Sequence, residues 1–236
     1  MVTTEPARPR PRTRRLLVVG FAAALLVAAV LGGPWLYARV LAPEPPAVLG
    51  ISPPAAGAVD SGTGPVDVDG SWEVAEGSEA GYRLDEVLSG QPVTVVGRTE
   101  EVGGTLVVQD GVLVSADVTV QVASIETDES ARDAYFRRAL RVADLPEARF
   151  TLAEPVDLTG LADEGSVQVD AVGTFTLHGV TRPATVTLDA RRTADGFDVA
   201  GSLPVVLTDH DLTAPDLGFV TVQDEGVVEM LLRVAR

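Results

Sequence analysis

The sequence predicts an all-β domain, an antiparallel β-barrel with one short amphipathic helix, preceded by an N-terminal transmembrane helix. Three observations indicate this architecture. Runs that alternate apolar and polar residues recur from residue 66 to the C-terminus, which is typical of strands with one buried face. A single segment of that region has the period of a helix instead. An uncharged run of 23 residues, Leu16 to Ala38, precedes the whole region.

The uncharged run has the length and the flanking charges of a membrane span. As a helix it would measure about 34 Å, and the hydrocarbon core of a bilayer is ~30 Å thick. Five Arg lie just before it and only Arg39 lies just after it, which places the N-terminus in the cytoplasm. A cleaved signal peptide is the alternative, but neither Ala38 nor Ala42 is in a good cleavage context. We therefore expect a cytoplasmic basic tail at 1–15, a single-pass helix at 16–38 in the cell membrane, and an extracytoplasmic C-terminal domain.

Residues 39–65 are interpreted as a Pro/Ala/Gly linker. Six Pro between positions 42 and 65 stand among Ala, Gly and Ser, with no alternation that could build a core. A segment of this composition is a coil or a polyproline II spacer, so it can hold the following domain clear of the lipid headgroups. The domain predicted at 66–236 has 171 residues, which is enough for one hydrophobic core.

Ten strand-like runs are predicted within the domain. The clearest signal lies at 167–190, where two alternating runs flank a tight polar turn, as in an antiparallel hairpin. In the run that begins at Val112, the residues Val114, Ala116, Val118, Val120 and Val122 are expected to face one way. The runs are 71–75, 81–88, 93–98, 104–108, 112–123, 149–153, 167–177, 184–190, 196–207 and 226–234.

The segment after Ser130 is predicted to be the helix. Ser130 and Asp133 have the spacing of a capping box, and Pro146 limits the segment at its other end. One side of this helix is apolar, with Ala131, Tyr135, Phe136, Ala139 and Leu140. A strand-rich domain with one amphipathic helix most simply closes into a barrel, with the helix packed across a mouth or a side.

Composition excludes several classes of function. The chain has no Cys, and all 18 basic residues are Arg, so disulfides, thiol chemistry, lysine Schiff bases and the lysine of a phosphate-binding loop are excluded. After residue 45 there are 12 basic and 32 acidic residues, a balance of −20. Nucleic acid is repelled by such a domain, so we expect no nucleic-acid partner.

Three motifs of the domain form a recognisable set. They are Ala123-Ser-Ile125-Glu-Thr127 followed by Arg132-Asp133, Pro146 and Arg149-Phe150-Thr151-Leu152; Phe175-Thr-Leu177-His178-Gly179-Val180-Thr181-Arg182-Pro183; and Val205-Val206-Leu207-Thr208-Asp209-His210-Asp211 with Asp224-Glu225-Gly226. From about Trp72 to the C-terminus the chain thereby resembles the YceI-like family, in particular its membrane-anchored actinobacterial forms. Two residues depart from the family pattern: Tyr135 stands where many members have His, and Leu145 stands where an aromatic residue is common.

The resemblance implies a lipocalin-like barrel that binds a long isoprenoid chain, such as a polyprenyl or quinone-type lipid. Inward faces rich in Val, Leu and Phe, without ionisable groups, are expected to suit such a chain, since each buried CH₂ contributes roughly 0.8 kcal/mol. The charge of the domain favours a neutral lipid over a polyprenyl phosphate. The candidate cavity-lining residues are Val118, Val120, Tyr135, Phe136, Leu140, Phe150, Leu152, Phe175, Leu177, Val186 and Leu188.

We therefore expect a membrane-anchored extracytoplasmic binding protein that holds or carries an isoprenoid or other long-chain lipid. The alternative is that the inward side chains fill the barrel completely. The domain would then be a solid-cored protein-interaction or stress-response module without a ligand. Association into a homo-oligomer is left open by the sequence.

Catalysis and metal binding are not expected. His178 could act as a base in an enzyme together with Asp209 or Asp211, but a turn hydrogen bond explains its position beside Gly179 equally well. The run Asp209-His210-Asp211, with Asp216, could bind a metal, but adjacent residues of an extended chain point in opposite directions. We therefore predict no catalytic residue, no metal site and no cofactor.

Overall fold

The computed structural model describes residues 44–51 and 67–236. Helices that are both long and apolar enough to cross a bilayer are absent from these residues. The predicted basic tail at 1–15 and the predicted span at 16–38 lie outside the described residues, as does most of the predicted linker. The tail, the span and the proposed topology therefore stay predictions.

Eleven strands and two α-helices make up the described part of the domain. The ten predicted runs all fall on strands, while the short strand β7 and the helix α2 were not predicted. The strands are β1 Gly70–Val74, β2 Glu79–Leu88, β3 Gln91–Thr99, β4 Val102–Gln109, β5 Val112–Gln121, β6 Glu147–Leu152, β7 Val156–Asp157, β8 Ser166–Leu177, β9 Val180–Arg192, β10 Gly196–Val206 and β11 Val220–Ala235. The helices are α1 Ser130–Ala139 and α2 Thr159–Glu164, and 3₁₀ turns occupy Val122–Ser124 and Leu207–His210.

The described strands close into an antiparallel barrel with eight positions in its wall. Hydrogen bonding runs in the order β1–β4–β5–β6–β8–β9–β10–β11, and β11 pairs with β1 to complete the ring. The β2–β3 hairpin continues the register of β1 and β4, since Glu73 pairs with Thr105 and Ala80 pairs with Thr99. β1 and β2 therefore follow one another along the same position in the barrel wall, and β3 and β4 do the same at the next position. The predicted antiparallel barrel is confirmed.

The predicted hairpin at 167–190 is formed by β8 and β9. Ala171 pairs with Val186 and Val169 pairs with Leu188, so the apolar residues of both strands lie on one face. The turn consists of His178 and Gly179, with φ of 53° and 76°. Two consecutive residues with positive φ match the right-handed twist of the flanking strands.

Two clusters of buried side chains within residues 67–236 form the core. The first lies at one end of the barrel, where the rings of Trp72 and Phe197 are 4.4 Å apart. The indole N–H of Trp72 donates to the carbonyl of Val68 at 2.9 Å, and the Arg236 guanidinium lies over the indole ring. The second cluster surrounds Phe175, next to helix α1. Side chains therefore fill one end of the barrel solidly.

Val114 does not share the face of Ala116 and Val118, so the prediction for this residue is wrong. Val107 pairs with Ser115, but Val108 pairs with Leu113, so β5 contains one residue more than its partner strand at this point. A β-bulge of this kind reverses the alternation locally. Val114 consequently lies on the exposed side of the strand.

Residues 44–51 lie along the outer surface of the barrel. The segment is held by the side chain of Glu229 in β11, a residue that is only 1% exposed. Arg83 donates to this carboxylate at 2.7 Å, and Arg98 binds its other oxygen, which also accepts from the Leu49 N–H at 3.2 Å. The same two guanidinium groups donate to backbone carbonyls of the segment, at Pro46 and Ala47. This part of the predicted linker is therefore fixed to the wall by charge-assisted bonds.

The ion pairs also determine the ionisation of Glu229. Burial alone would raise the pKa of this carboxyl, but the bonds from Arg83, from the Leu49 N–H and from Arg98 outweigh it and hold the pKa below its ordinary value. A group with a lowered pKa stabilises the fold above its unfolded pKa, and this contribution is lost as the pH falls through the folded pKa.

We predict that Glu229→Gln lowers the free energy of unfolding by about 3 kcal/mol at neutral pH, because it leaves two largely buried guanidinium groups without their anion. The difference from the wild type should shrink as the pH falls below the ordinary glutamate range, where Glu229 itself takes up a proton. Urea unfolding of the full chain at several pH values measures both effects. Glu154→Gln, at an exposed glutamate, is the control; an equal loss in both variants would contradict the assignment.

Candidate functional site

The end of the barrel next to helix α1 encloses a cavity of about 590 Å³. Its walls are the inward faces of β2 and β11, with parts of β3, β5, β8 and β10. Helix α1 closes one side, and the segment from Leu212 to Phe219 lies at the mouth. Almost all of the lining side chains are aliphatic or aromatic. The barrel is therefore filled at one end and hollow at the other.

The apolar side of helix α1 forms part of this lining. All five residues predicted on that side, Ala131, Tyr135, Phe136, Ala139 and Leu140, line the cavity.

The N-terminal end of the helix differs from the predicted capping box. Glu129 is the capping residue, since its carboxylate accepts from the Ala131 N–H at 3.1 Å. Asp133 is buried beneath the helix and accepts from the N–H and the hydroxyl of Thr127. The Arg-Asp pair of the sequence motif thus has two different environments: Asp133 fixes the preceding loop, while Arg132 faces the cavity.

The structure separates the predicted cavity-lining residues into two groups. Six line the cavity, namely Val120, Tyr135, Phe136, Leu140, Phe175 and Leu177. Five do not line it and instead pack in the core clusters, namely Val118, Phe150, Leu152, Val186 and Leu188. Val118 and Leu152 belong to the cluster at the filled end, Phe150 and Leu188 pack against both clusters, and Val186 packs in the cluster around Phe175 without facing the cavity. Ligand contact stays a prediction for the first group.

Sequence reasoning missed the contribution of β2. The strand alternates Ala80, Tyr82, Leu84, Glu86 and Leu88 toward the cavity, and this period of two is visible in the sequence. The Tyr82 ring stacks on Phe136 with centroids 4.8 Å apart and an interplanar angle of 17°. Burial of the Tyr82 hydroxyl raises its pKa well above the ordinary value, so the phenol stays protonated and can donate a hydrogen bond.

An ion pair lies in the lining, where Glu129 and Thr213 are the other residues with polar side chains besides Tyr82. Glu86 is buried, and its carboxylate accepts from the Arg132 guanidinium at 3.2 Å. Arg132 also binds Asp128, outside the lining, at 2.7 Å. Burial would lower the pKa of Arg132, but these two carboxylates outweigh it and raise the pKa. The expectation that the inner face lacks ionisable groups is therefore wrong, because the alternation of β2 carries one carboxylate inward.

The two histidines of the chain lie outside the cavity lining and hold the backbone. Nδ1 of His178 donates to the carbonyl of His210 at 3.2 Å, and Nδ1 of His210 donates to the carbonyl of Val180 at 3.1 Å. The two residues thereby tie the β8–β9 turn to the 3₁₀ turn at Leu207–His210. In the ranges 44–51 and 67–236, groups of three or more His, Asp or Glu that could hold a metal ion are absent.

Fold and site together define an eight-position antiparallel barrel with a largely apolar internal cavity. A family model described as the YceI-like domain matches residues 72–234, and the chain belongs to this family. It is similar to the protein YceI of Salmonella arizonae, with 31% identity over 175 residues, or 64% of this chain and 85% of that protein.

Two solved structures share the fold. A polyisoprenoid binding domain from Saccharophagus degradans, implicated in plant cell wall breakdown, has a TM-score of 0.55 at 19% identity, over 70% of this chain and 97% of that one. BcnA of Burkholderia cenocepacia has a TM-score of 0.51 at 17% identity, over 66% and 96%. At these identities the likeness concerns the fold alone.

Gly97 of β3 provides a test of the aromatic wall. A Cβ atom at this position would lie 2.6 Å from the Tyr82 ring and 2.7 Å from Ile125. We predict that Gly97→Ala displaces Tyr82 from Phe136 and lowers the free energy of unfolding by about 1–3 kcal/mol. Gly103→Ala on β4 is the control, because nothing lies within 4 Å of its Cβ position. Equal stability of the two variants, measured by urea unfolding, would show that the tight packing at Tyr82 is unimportant.

Proposed function

We propose that the protein is a membrane-anchored extracytoplasmic binding protein that holds or carries an isoprenoid or quinone-type lipid in its cavity. The observation that carries the proposal is the hollow end of the barrel, walled by apolar side chains and closed on one side by an amphipathic helix. Its volume of about 590 Å³ lies in the range of small-molecule sites. The polyisoprenoid binding domain of Saccharophagus degradans, which shares the fold, supports the same class of ligand.

The cavity accounts for affinity without polar contacts. Burial of ten carbons of an alkyl or isoprenyl chain contributes roughly 8 kcal/mol before the cost of ordering the chain. The cavity itself disfavours the solid-cored alternative, in which no such surface is available to a ligand. We propose binding without chemical conversion of the lipid.

The polar part of the ligand is proposed to lie near Glu86 and Arg132. Tyr82 adds a hydroxyl donor on the same wall. A carbonyl or hydroxyl head group can exchange hydrogen bonds with these residues and leave the ion pair intact. A phosphate would bring its charge close to the buried Glu86 carboxylate, in a domain that is strongly acidic overall. A neutral head group is therefore favoured.

The support for the membrane anchor and for the topology comes from the sequence alone. The uncharged run at 16–38, with five Arg before it, supports a single-pass helix with its N-terminus in the cytoplasm. The barrel would then stand on the outer side of the cell membrane.

Val120 provides the test of ligand binding. We predict that Val120→Trp fills part of the cavity and reduces the lipid that copurifies with the full chain at least tenfold. The chain is extracted into polymer-bounded nanodiscs, since detergent would compete for the cavity, and the organic extract is analysed by mass spectrometry for polyprenols and quinones.

Val114→Trp is the matched control, because Val114 is on the same strand but faces outward. Equal lipid content in both variants, or wild-type protein free of isoprenoid apart from bulk membrane lipid, would refute the proposed function.

Selectivity for the head group has a separate test. Wild-type protein should bind a polyprenol more tightly than the polyprenyl phosphate of equal chain length. We predict that Glu86→Gln reduces this preference about tenfold, because it removes the carboxylate that repels the phosphate. Asp128→Asn is the control, since Asp128 also pairs with Arg132 but lies outside the cavity lining. Ligand titrations monitored by fluorescence give both affinities, and an unchanged preference in Glu86→Gln would contradict the assigned role.

A further inference from the structure

Exposed apolar side chains are concentrated at the mouth of the cavity. Five large hydrophobic residues in the described ranges are exposed, and three of them, Tyr135, Leu217 and Phe219, lie at the mouth with 42%, 58% and 60% of their surface exposed, whereas Val48 and Val114 lie elsewhere. All three also line the cavity. The three residues are called the mouth patch below. Exposed hydrophobic residues scattered singly are normal, but a cluster at the rim of a lipid-sized cavity indicates a binding surface.

The mouth patch is held outward by a hydrogen-bonded turn. Gly218, with φ of +79°, separates Leu217 from Phe219, and its N–H donates to Asp216 at 3.0 Å. The Leu217 N–H donates to the Val220 carbonyl at 2.8 Å, and the Phe219 carbonyl accepts from the Ser89 N–H at 2.7 Å. These bonds fix the turn against the β2–β3 hairpin. The two side chains therefore project to solvent from an ordered backbone.

We propose that the mouth patch inserts into the outer leaflet of the membrane that carries the anchor, so that the lipid passes between the bilayer and the cavity without crossing water. This inference rests on the membrane anchor of the proposed function. The occupant of the patch is a phospholipid bilayer, because the rim that would be covered is also the entrance for a ligand that resides in the bilayer.

The position of residues 44–51 makes the docking sterically feasible. Only seven residues lie between Ala38, the end of the predicted span, and Pro46, whose carbonyl is bound by Arg83. The eight Cα–Cα steps limit the distance from the span to this attachment point to about 28 Å. Along β2 the mouth end at Leu88 is five residues beyond Arg83, or about 17 Å. With a tether of this length, the mouth of the barrel can therefore contact the membrane surface.

Charge does not assist the docking. Arg132 of helix α1 is already paired with Glu86 and Asp128, and Glu129 stands at the start of the helix. After position 45 the domain has 12 basic and 32 acidic residues, so an anionic surface repels it. Docking therefore depends on the apolar side chains of the mouth patch and on the high effective concentration that the tether provides.

Leu217→Cys gives a single site for a probe, because the chain has no Cys. The variant is labelled with a nitrobenzoxadiazole fluorophore, and the full chain is reconstituted in vesicles of phosphatidylcholine and phosphatidylglycerol that contain doxyl-labelled lipid. Docking predicts at least threefold stronger quenching than for Val114→Cys, labelled in the same way. Val114 is exposed and lies near the filled end of the barrel, where β5 pairs with β7.

Three further measurements separate the alternatives. Blue-shifted emission without quenching would place the probe in the cavity instead of the bilayer, and it would overturn the inference. In a Phe219→Ser background the quenching at position 217 should fall at least threefold. Unchanged quenching would mean that the probe itself drives insertion, which also overturns the inference.

Flotation in a density gradient distinguishes the two proposals. Protein that does not float with the vesicles refutes the anchor and the docking together, whereas floating protein with an unquenched probe refutes the docking alone.

Discussion

The structure depends on how β11 is shared among its neighbours. This strand of 16 residues pairs with β10 along one edge and with both β1 and β2 along the other, so it closes the barrel and extends it at the same time. Its inward residues contribute Leu232 and Val234 to the packed core and Val222 and Val228 to the cavity. On its outer face, Glu229 holds the segment at 44–51. One strand therefore fixes the relative positions of the filled end, the hollow end and the attached segment.

The division of the barrel into two ends follows from what covers each opening. At one end, Trp72 and Phe197 meet across the interior and pack against the aliphatic residues of the wall in one buried cluster. At the other end, helix α1 takes the place of a further layer of inward side chains. A helix packed across a barrel stands off the opposite wall by the length of its side chains, and the volume in between is the cavity. The cavity and the packed core thus occupy different parts of one hydrophobic interior.

Much of this architecture could be predicted from the sequence, because alternation reports directly which side chains point inward. The strands, the hairpin of β8 and β9 and the apolar side of α1 all follow from periodicity. Alternation does not report height along the barrel axis, so Val118 and Val120 look equivalent in the sequence although one packs in the core and the other lines the cavity. Height is set by where α1 crosses the opening, which is a property of the assembled barrel.

Other features gave weaker signals. Glu86 follows the alternation of β2 and could have been placed inside, but a carboxylate in an apolar series is easily assigned to the surface. The bulge at Val114 depends on one extra residue in a strand pair, which single-strand patterns do not reveal. The attachment of residues 44–51 was invisible because Arg83 and Arg98 recognise backbone carbonyls there, and every sequence offers carbonyls.

The bonds between residues 44–51 and the Glu229 ion pairs extend the attached part of the domain beyond the boundary that composition suggests. Composition changes near position 65, which invites truncation at that point for expression and crystallisation. A fragment that starts there would lose the Leu49 N–H and the two carbonyls that complete the coordination of a buried carboxylate and its guanidinium partners. The attachment to the barrel wall therefore includes Pro46, some twenty residues closer to the predicted bilayer than the sequence composition implies.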